Sequence, residues 1–164
     1  MLKALVIAAV LLFGQKPEQT GRITGIVVAA PQQQISQPVQ VILLSARYTD
    51  LWDTEVQRRL DFYWERFQPT FRTRKEYFIE FSKQAHRDAT NYIVSRMRRD
   101  RSENAPDYLQ ETTAGGTFEF RNVPFGEYKV LAVGKIAGQD AMWQEFVDVR
   151  SPIPQFLEVK KRVP

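Results

Sequence analysis

The stretch that most constrains this chain is Gly115-Gly-Thr-Phe-Glu-Phe-Arg-Asn-Val-Pro-Phe-Gly-Glu-Tyr-Lys-Val-Leu-Ala-Val133, where two short alternating runs flank one turn. Phe118, Phe120 and Val123 lead into Asn122-Val-Pro-Phe-Gly126, and Tyr128, Val130 and Ala132 leave it on one face. Apolar residues at a spacing of two mark strands, because successive Cβ atoms point to opposite faces. Asn, Pro and Gly between them mark a turn. The stretch therefore predicts a β-hairpin, and an isolated hairpin needs further strands or helices to bury its apolar face.

Two segments upstream supply strands. Gly21-Arg-Ile-Thr-Gly-Ile-Val-Val-Ala-Ala30 is short, β-branched and closed by Pro31. Val39-Gln-Val-Ile-Leu-Leu-Ser-Ala46 places Val39, Val41 and Leu43 on one face and Ile42 and Leu44 on the other. Consecutive strands most simply pair as neighbours, which is the expectation for these two. The glutamines of residues 32–37 between them read as a solvated connection. Downstream, Gly134-Lys-Ile-Ala-Gly-Gln-Asp140 reads as a turn and residues 142–149 as a strand with Trp143, Val147 and Val149 inward. Pro152 and Pro154 confine a last strand at residues 156–159 to an edge or a crossover, and Lys160-Lys-Arg162 reads as a solvated tail.

Between the two strand regions the period changes. Trp52, Val56, Leu60, Tyr63 and Phe67 step by four, four, three and four residues and so share one helical stripe. Thr49 or Asp50 is placed to cap this helix, and Pro69 to stop it. A second helix is expected from Thr73, with Glu76 completing a capping box, to about Arg99. Its stripe is Phe78, Phe81, Ala85, Ala89, Tyr92 and Val94 or Arg96. Two amphipathic helices joined by a short connection predict an antiparallel αα-hairpin, with the helical insertion at about residues 49–104.

Arg96, Arg98, Arg99 and Arg101 form the densest basic cluster, at the exit of the second helix. Cations are favoured at the negative end of a helix dipole, so capping electrostatics explains them; the functional reading is contact with a phosphate or anionic glycan. Over residues 50–104, twelve Lys or Arg against ten Asp or Glu leave a net charge of +2, too little for strong steering and no basis for a nucleic-acid partner.

The first fourteen residues carry one Lys and then an unbroken apolar run from Ala4 to Phe13. At ~1.5 Å per residue, that run falls short of a ~30 Å hydrocarbon core. It predicts a signal peptide over residues 1–14, cleaved after Gly14, with residues 15–164 as one exported domain and no stable membrane span. The alternative is anchoring by an uncleaved N-terminal segment.

An exported chain with no Cys has no disulfide, no thiolate nucleophile and no Cys-based metal site. A single His excludes imidazole-rich metal sites. His86 lies opposite the predicted apolar stripe and reads as a solvated surface His; as a catalytic base it would need a pocket with convergent polar groups. No Gly-x-Ser-x-Gly elbow, Gly-rich phosphate loop or metal-ligand spacing occurs, so no enzyme activity and no cofactor are expected. Of the three tryptophans, Trp52 and Trp143 fit core positions, whereas Trp64 sits beside the stripe and is the one expected to be exposed.

Gly21-Arg-Ile-Thr-Gly-Ile-Val-Val28, Pro38-Val-Gln-Val-Ile-Leu43 and Gly116-Thr-Phe-Glu-Phe-Arg-Asn-Val-Pro-Phe-Gly-Glu-Tyr-Lys-Val130 together resemble the carboxypeptidase regulatory-like domain family. The resemblance covers both flanks of the helical block and departs from the family in that block, where members usually have a short link. It implies a small transthyretin-like β-sandwich and a non-catalytic accessory or adhesion-type module. Related sandwiches bind starch and other glycans, although no glycan-binding residue carries over by motif.

The expectation is thus a mainly β protein, a small antiparallel β-sandwich interrupted by a two-helix hairpin. Its expected role is an exported, non-catalytic module presenting that hairpin to a protein of the cell envelope, or alternatively binding carbohydrate there. Trp64, Arg96, Arg98, Arg99 and Arg101 are the candidate contact residues.

Overall fold

A computed structural model describes residues 19–29, 35 and 37–163. The signal segment expected at residues 1–14 lies outside the described residues. The chain order is β1 (Thr20–Val27), β2 (Gln40–Ser45), α1 (Ala46–Thr73), α2 (Lys75–Met97), a 3₁₀ segment (Ser102–Tyr108), β3 (Leu109–Glu111), β4 (Thr117–Pro124), β5 (Gly126–Ile136), β6 (Gln139–Val149), β7 (Gln155–Val159) and β8 (Lys161–Arg162). The architecture is a β-sandwich with a helical insertion: a three-stranded sheet ordered β4-β1-β7 and a five-stranded sheet ordered β3-β2-β5-β6-β8.

The expected hairpin at residues 115–133 is corrected. Both arms are strands, but β4 pairs with β1 in one sheet while β5 pairs with β2 and β6 in the other. Alternation tells which side of a strand faces the core and is silent on which strand lies beside it. At the crossing, Asn122 adopts φ 53°, Pro124 has no N–H to offer a partner, and Phe125 N–H donates to Gln19 O at 3.0 Å. The chain therefore steps from one sheet to the other across a single residue, Phe125. The true hairpin is β5–β6, closed by Ala137 (φ 49°) and Gly138 (φ 79°), two consecutive left-handed residues as a type I′ turn requires.

Three further expectations change. β1 and β2 lie in different sheets and do not pair. β7 runs parallel to β1 at a sheet edge, so the sandwich is not wholly antiparallel. The expected C-terminal tail forms the short strand β8 against β6, and Val163, buried, donates its N–H to Met142 O.

The five-stranded sheet is covered on both faces. Val41, Ile42, Leu43 and Leu44 of β2 are all buried, as are residues 128–132 of β5. Val41, Leu43, Val130, Ala132 and Trp143 share one face by register and meet the three-stranded sheet. Leu44, Lys129, Leu131 and Met142 share the other and meet the helices. This second layer buries Trp52, Val56, Ala89, Ile93 and Met97 in the same core.

α1 continues through Pro69 to Thr73, so Pro69 does not stop it. A proline inside a helix costs ~3 kcal/mol. The turn beyond it is held by aromatic packing: Phe71 lies against Phe67, Phe78 and Phe81 at 5.4–6.4 Å between centroids. Neither expected side-chain cap forms; Ser45 and Arg74 occupy the N-cap positions, and Thr73 Oγ1 instead donates to Thr70 O at 3.0 Å. Contacts between Tyr48 and Asp100, Trp52 and Thr90, Tyr63 and Phe81, and Phe71 and Phe78 descend on one helix as they ascend on the other. The two helices are antiparallel, joined by Arg74 alone.

Candidate functional site

The helical hairpin divides into two halves. Near the sandwich, Trp52 ties the layers together: its Nε1 donates to Thr90 Oγ1 at 2.9 Å, and Lys129 Nζ of β5 sits 4.6 Å from its ring centroid. At the distal end the helices pack on each other, through rings that lie outside the main core. Tyr63, Phe67, Phe71, Phe78 and Phe81 form a ladder in which Phe67 and Phe81 stack at 4.8 Å. Phe71 is buried at its centre.

Around this ladder the large apolar side chains are open to solvent: Phe62 51%, Trp64 45%, Tyr77 38%, Phe78 45% and Ile79 51% exposed. Trp64 lies nearly parallel to Phe71, with 26° between planes and 6.0 Å between centroids, and edge-on to Phe78. Its exposure is as expected from sequence. Phe78 and Tyr92, expected on the inward stripe, are not buried; the inward face of α2 is Ser82, Ala85, Ala89, Ile93 and Met97.

The arginine cluster lies at the opposite end of α2, about 27 Å from the level of Trp64 at ~1.5 Å per residue. Arg96 Nη1 donates to Tyr92 Oη at 3.0 Å and Arg99 Nε to Ser95 O at 3.1 Å, while Arg98 and Arg101 are exposed. The structure therefore does not bring Trp64 and the four arginines together. Between the arginines, Asp100 closes the base of the hairpin: it accepts from Ser102 Oγ at 2.6 Å, Ser102 N–H at 2.9 Å and Tyr48 Oη at 2.5 Å, with Arg47 Nη1 at 3.2 Å. These donors, the Ser102 hydroxyl first, hold its carboxyl well below the ordinary carboxylate range.

His86 is half-buried, which corrects the expectation of a solvated surface residue. Because α2 turns Ser82, Ala85 and Ala89 inward, His86 falls at the flank of the packed face, 5.6 Å from the Trp52 ring. Its Nδ1 lies 2.8 Å from Ser82 O. It lines a cleft of about 620 Å³ between α2 and the β6–β8 edge, together with Lys83, Arg87 and Asn91 of the same helix. Across the cleft, Arg87 pairs with Asp140 at 2.8 Å.

Neither a family model nor a curated protein sequence matches the chain. Two solved structures are similar. One is a candidate carbohydrate-binding protein of Pseudomonas aeruginosa, at 14% identity and TM-score 0.40, covering 89% of this chain and 91% of that one. The other is the pilus backbone of Streptococcus pneumoniae, at 14% identity and TM-score 0.32, covering 87% of this chain and 41% of that one. The chain thus spans less than half of the pilus backbone.

The cleft was not visible in the sequence. Its lining comes from segments more than 70 residues apart, Lys83 on α2 and Arg162 on β8, and the expected solvated tail gave no reason to place Arg162 beside a helix. Among the described residues, no group of three or more His, Cys, Asp or Glu is gathered for a metal ion, and no helix is long and apolar enough to cross a membrane.

Proposed function

We propose that the protein is an exported, non-catalytic module of the cell envelope whose β-sandwich holds the helical hairpin out so that its distal end docks a protein partner. The observation that carries this reading is the contrast at that end: five large apolar side chains are between 38% and 51% exposed around a buried, ring-stacked Phe71. A rigid base carrying accessible aromatic residues is the composition of a protein-contact hot spot. Among the described residues, none of these five side chains belongs to the main core or packs against it.

The non-catalytic part rests on the sequence, which has no Cys, no Gly-x-Ser-x-Gly elbow and no metal-ligand spacing, and on Asp140 being paired with Arg87 instead of with His86.

A photo-crosslinking residue introduced at Phe78 tests docking directly in the source cells. Discrete protein adducts at Phe78 and at Trp64, and none at the more exposed Phe146 on β6, are expected. Adducts at none of the distal positions would sink the proposal.

Carbohydrate binding is a second reading, favoured by the ring of Trp64, which is stacked beside Phe71 and about half open to solvent. Retardation in polysaccharide affinity gels that disappears in Trp64→Ala supports it. Migration unaffected by any glycan removes it.

A further inference from the structure

We propose that the cleft between α2 and the β6–β8 edge binds a small organic anion, a carboxylate carried on an apolar body. The floor of the cleft is apolar: Ala141, Met142 and Val163 are buried, with Val133 beside them. The walls are cationic. Lys83 and Arg87 come from α2 and Arg162 from β8, against one acid among the described lining residues, Asp140. Arg87 and Asp140 are bonded to each other at 2.8 Å and largely cancel. Lys83 pairs with Glu80 at 2.9 Å, but that contact is exposed on both sides and therefore weak enough for the lysine to swing to a ligand. Arg162 supplies a fixed fork suited to a carboxylate.

The remaining polar groups narrow the class. Ser82 O can only accept, so Nδ1 of His86 carries a proton and is held by its own helix. Asn91 and Gln139 add amide donors and acceptors. Excess positive charge disfavours a cation. Among the described lining residues there is no Trp, Tyr or Phe on which a neutral sugar ring would stack. A bare inorganic anion would satisfy the cations and leave the apolar floor wet. A volume of about 620 Å³ falls in the range of small-molecule sites. This site is separate from the distal end of the hairpin, and its test is independent of that proposal.

The test is an NMR titration of the whole chain with hexanoate, its methyl ester, inorganic phosphate, and a short Leu-terminated peptide with a free or an amidated C-terminus. Hexanoate is expected to shift the Val133, Met142 and Val163 methyl signals saturably, with the ester without effect. The Lys83→Gln/Arg162→Gln variant is expected to bind about tenfold or more weakly, the effect of losing a charge-assisted hydrogen bond, at an unchanged melting midpoint. Each single substitution gives the same direction should the double variant be unstable. A free-acid peptide binding tighter than hexanoate identifies a chain terminus as the source of the carboxylate, and equal binding identifies a free acid. Equal shifts with the ester, equal binding of phosphate, no saturable shift, or an unchanged affinity in the charge variants would overturn the proposal.

Discussion

Lys129 Nζ donates to Asp53 Oδ1 at 2.6 Å, joining the middle strand of the five-stranded sheet to the first helix of the insertion. The lysine is 4% exposed and the aspartate 53%, and the ammonium also lies 4.6 Å from the Trp52 ring and 5.2 Å from the Phe146 ring. A charge on the apolar face of a central strand is costly unless it is paired. Here the helical insertion supplies the partner, so sheet and insertion depend on each other.

Removing the two partners should have unequal effects. Asp53→Ala leaves a buried ammonium with only ring faces and is expected to cost about 1–3 kcal/mol. Lys129→Met keeps the contact with Trp52 and Phe146 and returns Asp53 to water, for a cost of about 1 kcal/mol or less. Urea denaturation of both variants gives the order, and a larger loss in Lys129→Met would contradict it.

Phe71 is buried but lies outside the main core, so the distal hairpin has a small core of its own. Phe71→Ala should raise amide exchange across residues 63–81 and leave residues 128–132 protected. Ile93→Ala, inside the main core, should lower the global midpoint by the equivalent of ~2–5 kcal/mol. Uniform loss of protection in Phe71→Ala would show that the two halves unfold together.

Gly25 is a point of close approach between β1 and its neighbours. A Cβ there would stand 2.6 Å from Leu157 O and would overlap the Phe118 ring. Gly25→Ala is expected to destabilise by ~1–3 kcal/mol through overpacking. Gly115→Ala, whose Cβ would meet only Thr113 Oγ1 at 3.8 Å, serves as the near-neutral control in the same thermal melts.

Asp100 and Glu55 contribute to the acid limb of stability, as does Glu119, lowered by Arg121 first. The carboxyl of Asp100 is lowered by Ser102 first and then Tyr48, and that of Glu55 by Arg58 first, against a burial contribution that raises it. Both are more acidic in the folded chain than in the unfolded one, so their contribution is full above about pH 5 and is lost as pH falls through their folded values. Asp100→Asn should therefore lower stability at pH 7 and flatten its decline between about pH 4 and pH 2, measured by denaturant titration across that range.

Much of the fold was legible because strand faces follow alternation. Val41/Leu43 against Ile42/Leu44, and Tyr128/Val130/Ala132 on one side of β5, lie as the spacing requires. Which strands become neighbours was not legible: alternation is the same in a hairpin and in a step between sheets, so β4 and β5 read as partners. The unbroken Val41-Ile-Leu-Leu44 run carried the signal for a sheet covered on both faces, because a half-solvated strand would alternate with polar residues. The exposed Trp64 was legible from its place beside the stripe. The rotation of α2 was not, since its small residues Ser82, Ala85 and Ala89, rather than its large ones, face the sandwich. That rotation exposes Phe78 at the tip and turns His86 toward a cleft.

Retention of envelope proteins on the immobilised protein, compared with a Phe62→Ser/Trp64→Ser/Phe78→Ser/Ile79→Ser variant, tests the central claim most directly. All four positions are exposed and outside the main core, so the variant keeps the sandwich; because Trp64 and Phe78 also pack on Phe71, native amide protection across residues 63–81 is required of the variant before its retention is compared. A discrete protein retained by the native chain and lost from the variant, at a melting midpoint within a few degrees of native, is the predicted result. The same proteins retained by both, or none by either, would contradict the claim that the distal hairpin is a protein-docking surface.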